Sequence, residues 1–245
     1  MIPSGDVHLW SAPLTAAPEE LLALSNVLST EEIERANRFR FQEHRDAFVI
    51  ARGMLRFLIA HYAGGDPQDV QFNYSPYGKP SIAGELSLSF NLSHSGTLAL
   101  YAFARERELG VDIEQFRPMS DLEQVAKHFF SKGEVDDLFS LDEDGRPAAF
   151  FRCWTRKEAF VKAIGDGLSM PLDGFRVSLK ADEPATLLDA PPEHRGKWSL
   201  RDVTPSEGYA AALVFAGQIG KLEFTRIPDV TSGIALALCS NSPPE

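Results

Sequence analysis

The sequence has few cysteines and no long apolar run. Its 245 residues include two cysteines, Cys153 and Cys239, with no CxxC pair and no His/Cys spacing suited to zinc. This argues against a disulfide framework and against a structural zinc cluster. The start, MIPSGDVHLW, lacks the basic segment and apolar core of a signal peptide, and no run approaches the roughly 20 apolar residues of a membrane span. We therefore expect a cytoplasmic protein with no membrane partner.

Basic residues are also scarce. The chain carries 24 Lys and Arg against 35 Asp and Glu, which gives a formal net charge of -11. Because an acidic surface repels phosphate, this balance argues against a general nucleic-acid binder. A site for a phosphate-bearing ligand would have to be a local basic patch. The length allows one large domain or two smaller ones.

Two long helices are predicted, one in each part of the chain. The first covers residues 28–65, where Ser29 and Glu32 have the spacing of a capping box and a Gly-Gly pair ends the segment. The second, PAAFFRCWTRKEAFVKAI, has Pro147 in its first turn and ends at Gly165.

Shorter elements fill the rest of the chain. Ser120 with Glu123 and Ser131 with Glu134 have capping-box spacing, which predicts two short helices. The tail, 240–245, is expected to be loose. Alternating and β-branched runs predict strands at 7–10, 70–74, 87–92, 97–104, 109–113, 175–179, 198–203, 209–216 and 221–226.

A helix motif and a strand motif recur at one offset. DAFVIA at 46–51 resembles EAFVKA at 158–163, and Phe103 of LYAFA and Phe215 of LVFA are likewise 112 residues apart. The repeat predicts an α+β fold of two similar halves, each a long helix packed on a small antiparallel sheet. The boundary between the halves would lie near residues 110–118, where ligand sites tend to form.

The stretch GVDIEQFRP, residues 110–118, places two carboxylates two positions apart in a predicted strand. Asp112 and Glu114 would therefore point to the same face, while Val111 and Ile113 point into a core. Neighbouring anions repel each other unless both face water or share a cation, and a divalent metal is the commonest reason to hold them close.

Further candidate groups come from a helix and two turns. Glu158 and Lys162 of WTRKEAFVKA lie four residues apart, which fits either an ordinary ion pair on a helix face or a metal ligand beside a phosphate-binding lysine. Ser93 and His94 of SFNLSHSG follow a strand and could meet an anion, although a solvated polar turn explains them too. YGKP, at 77–80, also fits a plain turn.

Five motifs in this order, GKP, NLSHSG, GVDIE, FFSKGE and WTRKEAFVKA, resemble those of the Sfp-type 4′-phosphopantetheinyl transferases, over about residues 7–216. The resemblance implies a pseudo-dimer of two similar α+β halves, here residues 1–112 and 113–245. It implies transfer of the phosphopantetheine arm of coenzyme A to a serine of an acyl, peptidyl or polyketide carrier protein, with release of adenosine 3′,5′-bisphosphate. A monomer is expected because one chain already contains both halves.

The resemblance also implies roles for individual residues. Asp112, Glu114 and Glu158 would hold Mg²⁺, or Mn²⁺, on the pyrophosphate. Lys162 would contact the phosphates and assist the leaving group, and Glu158 would also activate the serine. Asp112, Glu158 and Lys162 are therefore the expected catalytic residues.

Coenzyme A would be held by residues of the first half together with Lys162. Arg52 matches a position that binds the 3′-phosphate, and His94 would lie close to the same group. The sequence departs from some relatives at Glu32, where they carry a lysine, with Arg35 and Arg38 following. The remaining expected contacts would frame the adenine: Tyr77, Gly78, Lys79, Pro80 and Ser93.

Several alternatives stay open. Glu134 of FFSKGE is either a helix cap or a further metal-binding or serine-activating carboxylate. A metal-dependent hydrolase of coenzyme A could use the same carboxylates and lysine, and a coenzyme A or carrier-binding module could use them as structural ion pairs. For a transferase, the carrier is expected to dock on residues 121–141, through Lys127, Phe129, Phe130 and Lys132.

Overall fold

The computed structural model describes residues 2–84, 87–165 and 170–239, and its fold is α+β. From the N-terminus the elements are β1 (Val7–Pro13), α1 (Pro18–Asn26), α2 (Thr30–Asn37), α3 (Gln42–Ala63), β2 (Phe72–Tyr74), β3 (Pro80–Ile82), β4 (Leu88–Ser95), β5 (Leu98–Arg105) and β6 (Leu109–Gln115). They continue with α4 (Leu122–Phe129), α5 (Lys132–Phe139), α6 (Arg146–Ile164), β7 (Arg176–Val177), β8 (Leu187–Asp189), β9 (Trp198–Asp202), β10 (Tyr209–Ala216), β11 (Leu222–Arg226) and α7 (Val230–Cys239).

The two main sheets pack face to face between the two long helices. The first sheet has the strand order β11-β1-β5-β4 and the second has the order β6-β10-β9. Helix α3 covers the outer face of the first sheet, where its apolar residues form a buried cluster with Phe103 of that sheet. Helix α6 covers the outer face of the second sheet, and its Phe160 belongs to the buried cluster between them. Both sheets contribute to the apolar cluster between them, which contains Val7, Leu9, Leu100, Val111, Ile113, Leu213 and Phe215.

This arrangement confirms the expected long helix on a small sheet in each half. The repeated motifs lie in corresponding elements, since 46–51 belongs to α3 and 158–163 to α6. Phe103 lies on β5 and Phe215 on β10, and each of these strands is paired on both sides within its sheet. The first sheet is mixed rather than purely antiparallel, because β11 runs parallel to β1.

The C-terminal elements return to the first half. Strand β11 pairs with β1, with Val7 opposite Leu222, and α7 packs against α3. The division into residues 1–112 and 113–245 stays a prediction. Its boundary falls inside β6, and two elements of the second part pack with the first.

Several predicted elements differ from the observed ones. The helix predicted over 28–65 is broken into α2 and α3, because Phe41 is extended (φ -103°, ψ 138°) and Phe39 packs on Phe48 with ring centroids 5.6 Å apart. The predicted Ser120 cap is wrong, since α4 starts after Asp121 without a side-chain cap. Four observed elements, α1, β3, β8 and α7, were not predicted from the sequence. The predicted tail 240–245 lies outside the described residues. Within the described ranges, no helix is long and apolar enough to cross a membrane.

Candidate active site

Gly110 lets strand β6 lie directly against helix α6. A Cβ at this position would overlap the carbonyl oxygen of Ala159 and lie 2.9 Å from Cα of Ala163. Only glycine allows so close an approach of strand to helix. Because side chains alternate along β6, Asp112 follows Gly110 on the face that is turned toward α6.

Asp112, Ser93 and Lys162 form one hydrogen-bonded group. Lys162 Nζ donates to Asp112 Oδ1 at 2.6 Å and to Ser93 Oγ at 2.9 Å, and the Ser93 hydroxyl donates to the same Asp112 oxygen at 2.8 Å. The ion pair of Lys162 is therefore with Asp112 of the neighbouring strand. Asp112 is 5% exposed, and its Oδ2 is buried without a hydrogen-bond partner among the described residues.

The carboxylates of the site repel one another. Burial raises the pKa of Asp112 against the opposing effect of Lys162. Burial also raises the pKa of Glu158, and the charges of Asp112 and Glu114 raise it further. A cation placed among these groups would oppose the shifts, because it favours the ionised forms.

Glu114 is held by two donors. Its Oε2 accepts from Ser95 Oγ at 2.8 Å and from Arg117 Nη1 at 3.0 Å. Ser95 was not among the predicted site residues, and neither was Asn91, whose Oδ1 accepts from the backbone N–H of Val111 at 2.8 Å. The signal for both was the alternation in NLSHSG, whose polar residues have the same spacing as the carboxylates of GVDIE.

His94 lies within electrostatic range of the site. His94 is exposed at the surface, yet desolvation of its ring by neighbouring residues and the Lys162 ammonium lower its pKa against the opposing effect of Glu114. The neutral imidazole is thereby favoured. Its predicted contact with a 3′-phosphate stays a prediction.

A pocket of about 290 Å³ joins the predicted turn to the catalytic candidates. Lys79 lies in its wall, and Lys79 Nζ donates to the carbonyl oxygens of Ala163 at 3.0 Å and Leu109 at 3.3 Å. The Lys79 side chain is therefore engaged with α6 and β6, and the backbone N–H groups of Tyr77, Gly78 and Lys79 donate to Ser75 within the turn. The lining residues are Tyr77, Gly78, Lys79, Pro80, Asn91, Leu92, Glu158, Val161, Lys162 and Gly165.

Arg52 lies away from that pocket and is engaged by protein groups. It is 8% exposed, its Nε donates to Glu32, and its Nη2 donates to Tyr74 Oη at 2.6 Å. It lines a second pocket of about 430 Å³ together with Arg35 and Arg38. Glu32 thus neutralises part of the predicted phosphate patch. The 3′-phosphate role of Arg52 stays a prediction that competes with a structural role.

Glu134 belongs to the core. It forms an ion pair with Lys157 at 2.8 Å, and both side chains are 0% exposed. It also accepts from the backbone N–H groups of Ser131 at 2.7 Å and Val177 at 2.8 Å. The capping box with Ser131 is confirmed. Because protein donors surround this carboxylate, we assign it a structural role.

The predicted metal ligands share one neighbourhood without converging on a point. Among residues 2–84, 87–165 and 170–239, no three His, Cys, Asp or Glu side chains come close enough to hold a metal ion as they stand. In place of a shared metal ion, Asp112 has Lys162 as its ion-pair partner. Glu114 accepts a hydrogen bond from a protein donor. Asp112 Oδ2 is buried and has no hydrogen-bond partner among the described residues, so it could bind a cation.

Comparison with known proteins places the chain in a family. Two family models match: the 4′-phosphopantetheinyl transferase superfamily over residues 108–214, and 4′-phosphopantetheinyl transferase, N-terminal, over residues 12–106. The 4′-phosphopantetheinyl transferase HetI of Nostoc sp. is 43% identical over 217 residues, which cover 87% of this chain and 89% of that protein. The 4′-phosphopantetheinyl transferase Sfp of Bacillus subtilis is 35% identical over 198 residues, or 81% and 86% of the two chains.

Solved structures resemble the chain less closely. A holo-(acyl-carrier-protein) synthase from Bacillus anthracis, in complex with CoA (3′,5′-ADP), covers 45% of this chain and 96% of its own, with 17% identity and a TM-score of 0.38. The assignment therefore rests on the family models and on the two relatives. The chain belongs to the Sfp-type 4′-phosphopantetheinyl transferase family.

Proposed function

We propose that this enzyme transfers the 4′-phosphopantetheine group of coenzyme A to a serine of an apo carrier protein and releases adenosine 3′,5′-bisphosphate. Family membership supports the reaction class. The single structural observation that carries the proposal is the ion pair between buried Asp112 and half-buried Lys162. Lys162 and Glu158 line one wall of the pocket that the turn 77–80 also lines.

The chemistry follows from these groups. The serine hydroxyl oxygen forms a bond to the phosphorus that bears the pantetheine arm, and the pyrophosphate P–O bond breaks. Glu158 is half-buried and its pKa is raised, which suits a base that takes the serine proton. Lys162 turns from Asp112 to the pyrophosphate and stabilises the charge that develops on the leaving oxygen.

Magnesium fits the same groups. The unsatisfied Asp112 Oδ2 and the carboxylates of Glu114 and Glu158 are hard oxygen donors of the kind that Mg²⁺ and Mn²⁺ prefer. Burial and the charges of Asp112 and Glu114 raise the pKa of Glu158, and a bound cation would oppose that rise. We propose these three residues as the ligands. When bound, the metal supplies charge neutralisation for the pyrophosphate.

Coenzyme A would lie across the pocket, with its adenine against Ser93 and the backbone of residues 77–80 and its phosphates toward Lys162. His94 and Arg52 would face the 3′-phosphate. We propose that the enzyme acts in the cytoplasm as a monomer. A mass of 27.0 kDa in light scattering would agree with a monomer, and twice that mass would refute it.

The carrier would dock on the surface of α4 and α5, next to the helix that bears Glu158. Phe129 is 36% exposed there. Phe130, which the sequence suggested as a further contact, is 3% exposed and packs in the core, so it drops out of this surface. Reversing the charges of Lys127 and Lys132 should raise the KM for the carrier and leave the KM for coenzyme A unchanged. Carrier kinetics that do not change would place the docking surface elsewhere.

The decisive assay mixes the enzyme with an apo carrier protein, coenzyme A and Mg²⁺ and follows the carrier by mass spectrometry. A carrier heavier by one phosphopantetheine supports the transferase. Adenosine bisphosphate without modified carrier would indicate a hydrolase, and no turnover with any of a panel of acyl, peptidyl and polyketide carriers would refute the proposal.

A further inference from the structure

Strands β4 and β6 are neighbouring edges of different sheets, and polar side chains connect them. Alternate residues of β4 reach across to β6. Asn91 Oδ1 accepts from Val111 N–H at 2.8 Å, and Ser93 Oγ donates to Asp112 at 2.8 Å. Ser95 Oγ donates to Glu114 at 2.8 Å. We call these three contacts the seam.

The seam also pairs two backbone donors of the edge strand β6, one of them the buried N–H of Val111. Ser95 Oγ also accepts from the backbone N–H of Gln115 at 3.1 Å, as Asn91 Oδ1 does from that of Val111. Edge N–H groups need such partners when they are not solvated. The seam therefore fixes the backbone of β6 on either side of Asp112.

The hydroxyl of Ser95 has a defined orientation. It carries one hydrogen and two acceptor lone pairs. Because the Gln115 N–H occupies an acceptor position, the single hydrogen is free to point at Glu114 Oε2. The other donor to that oxygen, Arg117, has a side chain that is 57% exposed, so it holds Glu114 less firmly than a hydroxyl fixed on a strand does.

We infer that Ser95 is a positioning residue that orients Glu114 for a divalent cation. The inference rests on the proposed function, since Glu114 is a proposed metal ligand. Removing a partner that orients a metal ligand typically weakens metal binding by about 10- to 100-fold. A carboxylate of the second half is thus aligned by a residue of the first half, so the site depends on how the halves fit together.

The test measures Mn²⁺ binding directly, by electron paramagnetic resonance of the free ion, without turnover. Ser95→Ala should raise the Kd for Mn²⁺ at least about 10-fold, measured at a temperature where circular dichroism shows the variant and the wild type folded. Ser95→Thr keeps the hydroxyl and should bind like the wild type. Ser89→Ala, the same change on the same strand outside the seam, should also bind like the wild type.

Equal Mn²⁺ affinity in Ser95→Ala and wild type would overturn the inference. So would a Ser95→Thr variant that keeps its thermal midpoint but binds as poorly as Ser95→Ala. A wild type that modifies its carrier without binding Mn²⁺ would overturn the role of Ser95 and keep the transferase. Ser95-dependent Mn²⁺ binding without modified carrier would keep the role of Ser95 and refute the transferase.

Discussion

Replacing Glu134 by glutamine should unfold the enzyme at a lower temperature rather than remove a catalytic group. Donors surround the Glu134 carboxylate: Lys157 Nζ, the hydroxyl and N–H of Ser131, the N–H of Val177 and the Cys153 thiol. The glutamine amide would place its own N–H donors opposite these donors. It would also leave the Lys157 ammonium without a countercharge, although Lys157 keeps two carbonyl acceptors.

The size of the effect follows from complete burial. Both side chains of the pair are 0% exposed, and breaking a buried pair by removing one partner costs about 3–5 kcal/mol. For a chain of this size each kcal/mol lowers the melting temperature by about 2–4 °C, so we expect Glu134→Gln to melt roughly 6–20 °C lower. Urea unfolding followed by circular dichroism gives the free energy.

Two further variants distinguish the effect of breaking the buried ion pair from a general loss of stability. Combining Glu134→Gln with Lys157→Met removes the uncompensated charge, so the double variant should be more stable than the sum of the single losses predicts. Lys127→Ala breaks an ion pair whose side chains are 61% and 62% exposed, and should leave the melting temperature nearly unchanged because solvent screens the pair. A Glu134→Gln variant that melts like the wild type yet has lost its turnover would refute the structural assignment.

The remaining predictions concern the site. Asp112→Ala should lower kcat by about 100-fold or more with an unchanged circular dichroism spectrum, and full turnover at saturating Mg²⁺ would contradict its role. Gly110→Ala should destabilise the protein by about 1–3 kcal/mol or more, because the added methyl group overlaps α6. Gly145→Ala adds a methyl group that meets nothing within 4 Å and should not destabilise the protein. Equal melting temperatures for the two variants would refute the argument that β6 approaches α6 too closely for a side chain at position 110. Arg52→Ala should raise the KM for coenzyme A more than that for 3′-dephospho-coenzyme A, and equal losses would make Arg52 purely structural.

The sequence predicted the site best where the spacing of residues along the chain determines the face to which a side chain points. The alternation of GVDIE correctly placed Val111 and Ile113 in the core and Asp112 on the face toward α6. Capping residues gave the start of α2 and α5, because a cap is satisfied within four residues of the chain. The common offset of a helix motif and a strand motif gave the two-half architecture.

The sequence predicted less where a role depends on distant partners. The sequence predicted Lys79 and Arg52 as ligand contacts, yet their side chains form hydrogen bonds with protein groups from other elements. Glu134 could not be assigned until its partner Lys157 was located 23 positions further along the chain. The parallel pairing of Val7 with Leu222 could not be predicted from a local sequence pattern. Parallel strands need a long connection and are not joined by a short turn.

The return of β11 and α7 to the first half interleaves the two halves. A single cut between β5 and β6 would give an N-terminal fragment whose sheet lacks an outer strand, and a C-terminal fragment that carries that strand and the helix behind it. Each fragment would then present to the other the surface that completes it. The pair should reassemble into one particle when coexpressed, and a circular permutant that joins the C-terminal helix to β1 through a linker, with new ends in that same gap, should fold.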